Sequence, residues 1–399
     1  MSNRASFLAH VAQTSPAPMA LEIAGGHGVY LTDTDGKDYL DLIAGIGVSA
    51  LGHNHPAVVR AVQDQAGRYL HTLVYGEFVL APQAEYARLL AEHLPPGLDN
   101  IYFVNSGAEA TEGAMKLAKR ATGRAEIISA KRSYHGSTQG AASLQYPQDF
   151  TRPFHPLLPA VNHLDFNCFA CLERITERTA AVVLETVQAE WGIRKPARGW
   201  LKAVRERCDE VGALLILDEI QAGMGRTGTL FACEQYDVVP DIMLLAKGFG
   251  GGMPLGAFVA RQDLMTLLTE RPVLGHITTF GGHPVSCAAG LATLRTILAE
   301  DLVAQVPAKE ALFRELLVHP RILDLRTAGL WMAVELLDFD EVLATIKRCL
   351  HYGLITDWFL WNERALRIAP PLTISVDEIR EACGIILRAL DDLPPAHNR

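Results

Sequence analysis

The sequence predicts an α/β fold in which a large domain contains a mostly parallel β-sheet and a smaller α+β domain follows it. From about Ala81 onward, short apolar strands alternate with helical stretches. These strands are continuous apolar runs, which is typical of strands covered on both faces, as in a parallel sheet. The chain has 399 residues, 49% of them hydrophobic, which is enough for a large core and more than one domain.

The N-terminal region is predicted to contain a β-hairpin over 29–42, because an Asp35-Gly36 turn separates two alternating stretches rich in strand-forming residues. A helix is expected over 57–70, after the break at "GHNHP". His53 and His55 in this break have no obvious third ligand, so they are assigned to a turn and no metal site is predicted.

The remaining elements follow from the apolar pattern. Strands of the large domain are predicted over 101–104, 125–129, 180–185, 213–218, 241–246 and 256–260, with a helix over 108–121. A long helical region over 285–318 precedes strands over 321–327, 331–336 and 365–370. We therefore expect a large domain over 51–290 and a small domain over 291–399, with residues 1–50 packing against the small domain.

Composition argues against several classes of partner. A net charge of −9 disfavours nucleic acid, which prefers a basic surface. No apolar run approaches the length of a membrane span. Residues 1–20 lack a basic start followed by an apolar block, so no secretory signal is predicted and a cytoplasmic location is expected.

Cysteine usage does not indicate a disulfide framework, since there are seven cysteines in 399 residues. Cys168 and Cys171 form a single C-x-x-C, which a redox or zinc site would also show. No second pair follows it, and no Cys/His set with finger spacing accompanies it. The expectation is therefore two reduced thiols at the start of a helix.

Chemistry is expected where the strands end. The run "LLILDEIQAGMGRTG" takes a buried strand directly into Asp218, and burial of a carboxylate is costly unless a positive group faces it. Lys247 follows the next long strand and precedes four glycines. A lysine buried there would have a lowered pKa and could form an imine, although alone it could also extend to water.

A third strand end supplies an anion site. Ser106 and Gly107 lie between the strand "IYFV" and a helix, so a hydroxyl and backbone N–H groups could bind phosphate, although such residues are also ordinary helix caps. The carboxyl ends of parallel strands meet at one edge of a sheet. A phosphate site, a reactive lysine and a buried carboxylate at one edge are what pyridoxal 5'-phosphate (PLP) requires, with Asp218 facing the pyridinium.

Further motifs carry a family resemblance. The stretches "NSGAEA", "YHG", "DEIQAGMGRTG", "KGFGGGMPLGA" and "TTFGGHP" occur in this order, between "DTDGKDYLDLIAGIGVSALGHNHP" and "LRIAPPL". With them, essentially the whole chain resembles the class III (ω-amino-acid) aminotransferases, which include acetylornithine, ornithine and 4-aminobutyrate aminotransferases. The resemblance implies the fold type I architecture of PLP enzymes, with a sheet of the seven-stranded type in the large, PLP-binding domain.

The resemblance also implies roles for individual residues. Lys247 matches the lysine that carries the cofactor and transfers protons, and Asp218 matches the partner of the pyridine nitrogen. Thr279 matches a threonine that reaches the phosphate of the neighbouring subunit, which implies a homodimer with shared active sites. The other cofactor-binding residues that it implies are Ser106, Gly107, Ala108, Tyr134, His135, Glu185, Ile220 and Gln221.

On the substrate side, Arg367 matches an arginine that binds a substrate carboxylate, and Glu190 matches a glutamate that covers it. We expect Glu190 to cover Arg367 while the amine donor reacts and to move away when 2-oxoglutarate binds. The alternative is a permanent ion pair between the two residues. Ser137 stands where the best-known relatives have an arginine, and Trp191 where they usually have glycine. Both are expected to shape the substrate pocket.

The expected activity is therefore transfer of an amino group, by a ping-pong mechanism, from an amino acid or ω-amine to a 2-oxo acid such as 2-oxoglutarate. An acetylornithine-like or ornithine-like donor fits the resemblance best, although Ser137 argues against it. An aminomutase, racemase or decarboxylase on the same fold is the alternative. A PLP-binding regulatory protein is less compatible with the sequence, because no DNA-binding module is evident.

Overall fold

The computed structural model describes residues 2–394 and contains twelve α-helices and fifteen β-strands in that range. The helices are α1 (Asn3–His10), α2 (Ala44–Gly47), α3 (Pro56–Ala66), α4 (Ala81–Ala91), α5 (Gly107–Thr122), α6 (Gln139–Ser143), α7 (Trp200–Val211), α8 (Gln262–Met265), α9 (Pro284–Ala299), α10 (Leu302–Leu316), α11 (Phe339–His351) and α12 (Val376–Asp391).

The strands form three sheets. They are β1 (Ile23–His27), β2 (Tyr30–Asp33), β3 (Asp38–Asp41), β4 (Asn100–Val104), β5 (Glu126–Ala130), β6 (Val161–Leu164), β7 (Thr179–Glu185), β8 (Leu214–Asp218), β9 (Ile242–Leu245), β10 (Gly256–Ala260), β11 (Asp324–Thr327), β12 (Met332–Glu335), β13 (Leu354–Ile355), β14 (Asp357–Phe359) and β15 (Asn362–Ile368).

A seven-stranded sheet in the order β4-β10-β9-β8-β7-β5-β6 forms the centre of the molecule. Its strands run parallel except β10, which is antiparallel to both of its neighbours. Every residue of β7 is buried, as expected for a strand covered on both faces. The predicted α/β class and the mostly parallel sheet are confirmed.

The register of this sheet places acidic residues side by side. Glu185, at the end of β7, pairs directly with Asp218, at the end of β8. Lys247 follows the end of the next strand, β9, after a single residue. Three titratable side chains therefore come together at the carboxyl edge of the sheet, where open α/β sheets bind their ligands.

Two smaller sheets lie outside the central one. The hairpin predicted over 29–42 is present as β2 and β3, and it is extended by β1 on one side and by β13 on the other. The C-terminal part of the chain forms an antiparallel sheet in the order β11-β12-β15-β14. The parallel pairing of β13 with β3 joins the N-terminal segment to the C-terminal part, although the proposed domain boundaries stay a prediction.

One predicted element needs correction, and one strand of the central sheet was missed. The helical region predicted over 285–318 consists of two helices, α9 and α10, because Asp301 between them adopts a left-handed conformation with φ of 48°. Strand β6 was not predicted; its sequence is short and contains Asn162 and His163, so it lacks the continuous apolar run of its neighbours.

The expectation of reduced thiols at Cys168 and Cys171 was wrong. The two residues form a disulfide in the structure. A tight turn ahead of the short 3₁₀ helix Ala170–Arg174 brings their Cα atoms to 5.3 Å, a separation that a disulfide can bridge. The other five cysteines are free and buried.

Candidate active site

The carboxylate of Asp218 is held by two neighbours at the end of β8. A hydrogen bond of 2.7 Å joins its Oδ2 to Nδ1 of His135, and Ile220 donates its backbone N–H to Oδ1 at 2.9 Å. Asp218 and His135 are both buried, with 4% and 2% of their surface exposed. The site thus contains a buried acid whose orientation is fixed by an imidazole and by the backbone that follows it.

Glu185 forms a second buried carboxylate beside Asp218. Tyr134 donates its backbone N–H to Oε1 at 2.9 Å, and Ala189 donates its own to Oε2 at 2.8 Å. Burial raises the pKa of Glu185 to about 7, and the charge of Asp218 adds to this shift, although His135 opposes it. Glu185 therefore fixes the position of the backbone at Tyr134.

Lys247 lies in a short 3₁₀ turn, Lys247–Gly250, and has a left-handed backbone conformation with φ of 53°. Burial lowers the pKa of its amine to about 8, while the carboxylates of Glu190 and Asp218 oppose the shift. A lysine with this pKa is partly unprotonated near neutral pH and is available both as a nucleophile and as a base.

The N-terminus of α5 faces the same space. Ser106 caps the helix, and its Oγ accepts the backbone N–H of Glu109 at 3.2 Å. The first N–H groups of a helix have no partner within it, so this end attracts anions. A Cβ at Gly107 would lie 2.7 Å from Cδ1 of Ile220, so glycine permits the close approach of this turn to the loop after β8.

These groups line one cavity of about 470 Å³. Eleven predicted site residues form part of its wall: Ser106, Gly107, Ala108, Tyr134, His135, Ser137, Glu185, Asp218, Ile220, Gln221 and Lys247. Within residues 2–394, four predicted site residues are not part of that wall: Glu190, Trp191, Thr279 and Arg367. Thr279 is exposed on the surface.

Arg367 and Glu190 form a buried ion pair close to the cavity. Arg367 donates from Nη1 to Oε1 of Glu190 and from Nη2 to Oε2, both at 2.9 Å. Although burial opposes it, Arg367 lowers the pKa of Glu190 below its usual value. Leu360 also donates its N–H to Oε2 of Glu190 at 3.1 Å. The arginine is thus covered by a carboxylate in this structure, as the resemblance implied.

Ser137 and Trp191, the two residues expected to shape the substrate pocket, have defined contacts. The hydroxyls of Ser137 and Tyr134 are hydrogen-bonded at 2.9 Å on the cavity wall. Two guanidinium groups lie over the ring of Trp191: Cζ of Arg132 is 4.6 Å and Cζ of Arg194 is 5.1 Å from the ring centre. Both distances are within the range of a cation–π contact.

The cavity wall also contains residues that sequence reasoning did not single out. Asn105 and the Gly252–Leu255 segment lie within the quoted motifs, so the motifs could have indicated them. Val48 and Val187 also line the cavity, but both are ordinary apolar residues in loops. Val48 lies within the quoted stretch "DTDGKDYLDLIAGIGVSALGHNHP", whereas nothing in the local sequence marks Val187.

The wall fits PLP. It combines an amine of lowered pKa at Lys247, a fixed carboxylate at Asp218 and a helix N-terminus at Ser106 and Gly107. A phosphate suits the helix N-terminus, a protonated pyridine nitrogen suits the carboxylate, and an aldehyde suits the amine. These three groups surround a single cavity, as the chemistry of this cofactor demands.

Comparison with known proteins agrees with this geometry. The model of the family described as aminotransferase class-III matches residues 11–390. The chain belongs to the class III aminotransferases. Like other members of this family it is a PLP-dependent enzyme, and its large sheet is that of fold type I.

Several relatives at about 40% identity are named as aminotransferases. An acetylornithine aminotransferase of Methanopyrus kandleri is 41% identical over 92% of this chain and 93% of its own length. A putrescine aminotransferase of Pectobacterium atrosepticum is 40% identical over 91% of this chain and 80% of its own length. These names favour a transaminase over an aminomutase, a racemase, a decarboxylase or a regulatory protein.

Solved structures show the same fold. An ornithine aminotransferase of Toxoplasma gondii, described with PLP at partial occupancy in its active site, superimposes with a TM-score of 0.90 at 32% identity. The match covers 97% of this class III chain and 92% of the Toxoplasma chain. No helix within residues 2–394 is long and apolar enough to cross a membrane.

Proposed function

We propose that this enzyme moves the amino group of a terminal amine to 2-oxoglutarate by a ping-pong mechanism, with Lys247 and Asp218 as its catalytic residues. The observation that carries the proposal is that Lys247, Asp218 and the N-terminus of α5 line one cavity. PLP, when bound, supplies the electron sink that stabilises negative charge at the substrate carbon. Lys247 Nζ, with its lowered pKa, would accept the proton from that carbon and donate it to C4′, the aldehyde carbon of the cofactor.

The remaining residues have binding roles in this proposal. Asp218, oriented by His135, faces the pyridine nitrogen, and Glu185 fixes the backbone at Tyr134. The turn formed by Ser106, Gly107 and Ala108 would hold the phosphate. Tyr134 and Ile220 would cover the ring, and Gln221 would bind near its phenolic oxygen. Each of these assignments has the support of the cavity wall, in which all of these residues take part.

Arg367 is the proposed binding group for a carboxylate of the 2-oxo acid. A guanidinium binds a carboxylate through two parallel hydrogen bonds, and Glu190 occupies this position in the structure. The gate proposed here leaves Glu190 on Arg367 while the amine donor reacts and moves it away when 2-oxoglutarate binds. The charges of Glu190 and Arg367 both affect the pKa of Lys247, which supports this role.

For the donor, we propose an aliphatic chain with a terminal amine, of the acetylornithine or ornithine type. The support is the 41% identity to an acetylornithine aminotransferase. A diamine is the second candidate, because a putrescine aminotransferase is almost equally similar and the wall at Ser137 and Tyr134 presents hydroxyls. Hydroxyl oxygens accept hydrogen bonds from an ammonium group, whereas a carboxylate needs a cation to replace its water.

We further propose a cytoplasmic homodimer in which Thr279 reaches the phosphate of the neighbouring subunit. Large apolar side chains are exposed near Thr279 and near the start of α4, as expected of a surface that another protein covers: Leu70, Phe78, Val79, Ile277 and Phe280. A homodimer would bury the same patch on both subunits. Thr279 lies within this patch and outside its own cavity wall, which is compatible with a role in the partner's site.

A donor panel tests the function. The purified enzyme with PLP is given acetylornithine, ornithine, 4-aminobutyrate, lysine, β-alanine and putrescine, each with and without 2-oxoglutarate, and glutamate formation is measured. We expect turnover with at least one of these amines, and only in the presence of the 2-oxo acid. Turnover that proceeds equally well without any 2-oxo acid would refute transamination.

Hybrid dimers test the shared site. Lys247→Ala and Thr279→Ala chains are each expected to be impaired, and a mixture refolded or co-expressed together should regain activity. The hybrid then has one complete site, with Lys247 from one chain and Thr279 from the other. Absence of recovery, with hybrids shown to form, would place Thr279 in the site of its own chain or outside any site.

A further inference from the structure

The guanidinium of Arg367 contacts three consecutive residues of the edge strand β14. Oδ1 of Asp357 lies 2.9 Å from Nε, and the carbonyl of Trp358 accepts a hydrogen bond from Nη2 at 3.0 Å. The ring of Phe359 covers one face of the guanidinium, with its centre 4.5 Å from Cζ. These contacts leave the Nη1–Nη2 edge, which Glu190 occupies.

The strand register explains why Asp357 is in place. Asp357 pairs directly with Arg367 in the antiparallel ladder of β14 and β15, so their side chains leave the sheet next to each other. Arg367 is buried, with 3% of its surface exposed, whereas the Asp357 side chain is 22% exposed. An aspartate at this position therefore reaches the Nε side of the guanidinium without competing for the edge that binds Glu190.

The charged groups around Asp357 are consistent with an ionised carboxylate that binds Arg367. The charged groups that affect the pKa of Asp357 are Arg367, Glu190 on the loop after β7, and Asp41 on β3. Burial raises the pKa of Asp357 to about 6, and Arg367 limits that rise, so the carboxylate is largely ionised at neutral pH. Arg367 is consequently bound by two carboxylates, of which only Glu190 lies on the edge that a substrate would use.

We propose that Asp357 is a positioning residue that keeps Arg367 stationary, so that a substrate carboxylate replaces Glu190 on an arginine that does not move. This inference rests on the proposed role of Arg367 in binding the 2-oxo acid. Movement of the arginine would break its contacts with Asp357, with the Trp358 carbonyl and with Phe359 together. Movement of Glu190 breaks its contacts with Arg367 and with the Leu360 N–H only.

The kinetic test compares Asp357→Ala, Asp357→Asn and a control, Asp324→Ala. Asp324 is an exposed acid of the same sheet that pairs with another arginine, Arg326, at 2.6 Å. Each half-reaction is followed separately by the change in cofactor absorbance, which gives an apparent dissociation constant and a limiting rate. Melting temperature and PLP content are measured for every variant, to detect a merely structural effect.

For Asp357→Ala we expect the apparent dissociation constant of 2-oxoglutarate to rise about tenfold, because a charge-assisted contact that fixes the guanidinium is lost. The limiting rate of that half-reaction should change less than about twofold, because a saturating concentration of 2-oxoglutarate offsets weaker binding. The donor half-reaction should also change less than about twofold, because Glu190 stays on Arg367 while the donor reacts. Asp357→Asn keeps an oxygen toward Nε and should recover most of the affinity. Asp324→Ala should resemble the wild type.

Two kinetic results would overturn the proposal. One is an unchanged affinity for 2-oxoglutarate in Asp357→Ala. The other is an equal loss in both half-reactions accompanied by loss of PLP or of thermal stability, which would make Asp357 a structural residue only.

Crystal structures of the wild type and of Asp357→Ala decide the question independently of any activity. The proposal expects one position of the Arg367 guanidinium in the wild type and displacement or several positions in the variant. An identical, single position in both would overturn it. If the wild-type enzyme reacts with no 2-oxo acid, the proposed function fails, and these structures still decide whether Asp357 fixes the arginine.

Discussion

The proposed cofactor-binding and substrate-binding parts of the active site are built in different ways. The first consists of side chains at the ends of adjacent strands in one buried sheet, namely Glu185, Asp218 and Lys247. The second joins Glu190, on a loop of the large sheet, to Arg367, on a strand of a separate antiparallel sheet. Positions 190 and 367 are 177 residues apart.

This difference determines how each part of the site responds to substitution. In the cofactor part, positions follow from the strand register, so one substitution alters one group and leaves the sheet in place. In the substrate part, a buried pair of opposite charges spans two sheets. Removal of Arg367 leaves the charge of Glu190 buried and unpaired, and removal of Glu190 leaves Arg367 with Asp357 as its only carboxylate partner among the described residues. The cofactor part should therefore respond to substitution in reaction rate, and the substrate part in affinity and in stability.

The largest expected effect is that of Lys247→Ala. Because this variant lacks the base that moves the proton, transamination should fall by about a thousandfold or more, while PLP still binds. Cofactor content by absorbance and steady-state rates measure the two properties. Lys309→Ala is the control, since it removes another partly buried lysine, one that bonds to the carbonyl of Leu372. Wild-type-like turnover in Lys247→Ala would remove this residue from the mechanism.

Glu190→Ala should have a smaller effect on turnover than Lys247→Ala, and it should also change stability. Arg367 would lose two charge-assisted hydrogen bonds, and stability should fall by about 3 kcal/mol because its charge is left without this partner. The donor half-reaction should slow about tenfold, while affinity for 2-oxoglutarate is kept or increased, because no carboxylate competes for the arginine. Stopped-flow measurement of each half-reaction checks this, with Glu190→Gln as the uncharged control. Equal changes in the two half-reactions would refute the gate.

Gly107→Ala should weaken cofactor binding by about 1–3 kcal/mol, because the added Cβ would lie 2.7 Å from Cδ1 of Ile220. Ile220→Val removes that carbon atom and should restore part of the affinity in the double variant. Gly384→Ala, on α12, is the control, because a Cβ there has no atom within 4 Å. Dissociation of PLP is measured by dialysis and fluorescence. A double variant that binds PLP no more tightly than Gly107→Ala would contradict this interpretation.

The smallest effect concerns the disulfide between Cys168 and Cys171. Thiol titration of the unfolded, unreduced protein should detect the five free cysteines, and reduction should add the remaining two. Asn167, next to this turn, bonds to the backbone of Lys195 and Ala197, downstream of Glu190. Cys168→Ser should therefore change affinity for the 2-oxo acid by less than about threefold and leave PLP binding unaltered. Detection of all seven thiols without reductant would contradict the bond.

The cofactor part could be predicted from the sequence because it depends on local pattern. Asp218 and Lys247 each follow a continuous apolar strand, and a parallel sheet brings such strand ends to one edge. The Ser106 cap likewise follows from a strand, a turn and a helix that are contiguous in the chain. The family motifs then added Tyr134, Ile220 and Gln221, all of which line the cavity.

Long-range contacts could not be predicted in this way. The contact of Asp357 with Arg367 depends on the register of β14 and β15, and β14 has only three residues with no alternation to reveal it. The disulfide depends on the backbone path of a turn, because a C-x-x-C by itself fits a reduced, an oxidised or a metal-bound pair equally. Val48 enters the cavity from the N-terminal segment, through tertiary packing alone.

The pairing of β3 with β13 has a consequence for the biogenesis of the protein. Leu40 and Asp41 pair in parallel with Leu354 and Ile355, and Lys37 donates from Nζ to the carbonyl of His351 at 2.8 Å. Domains usually fold from the N-terminus onward during synthesis. In this protein the edge of β3 stays unpaired until more than 300 further residues, up to β13, have been synthesised. An unpaired strand edge can form hydrogen bonds with other chains.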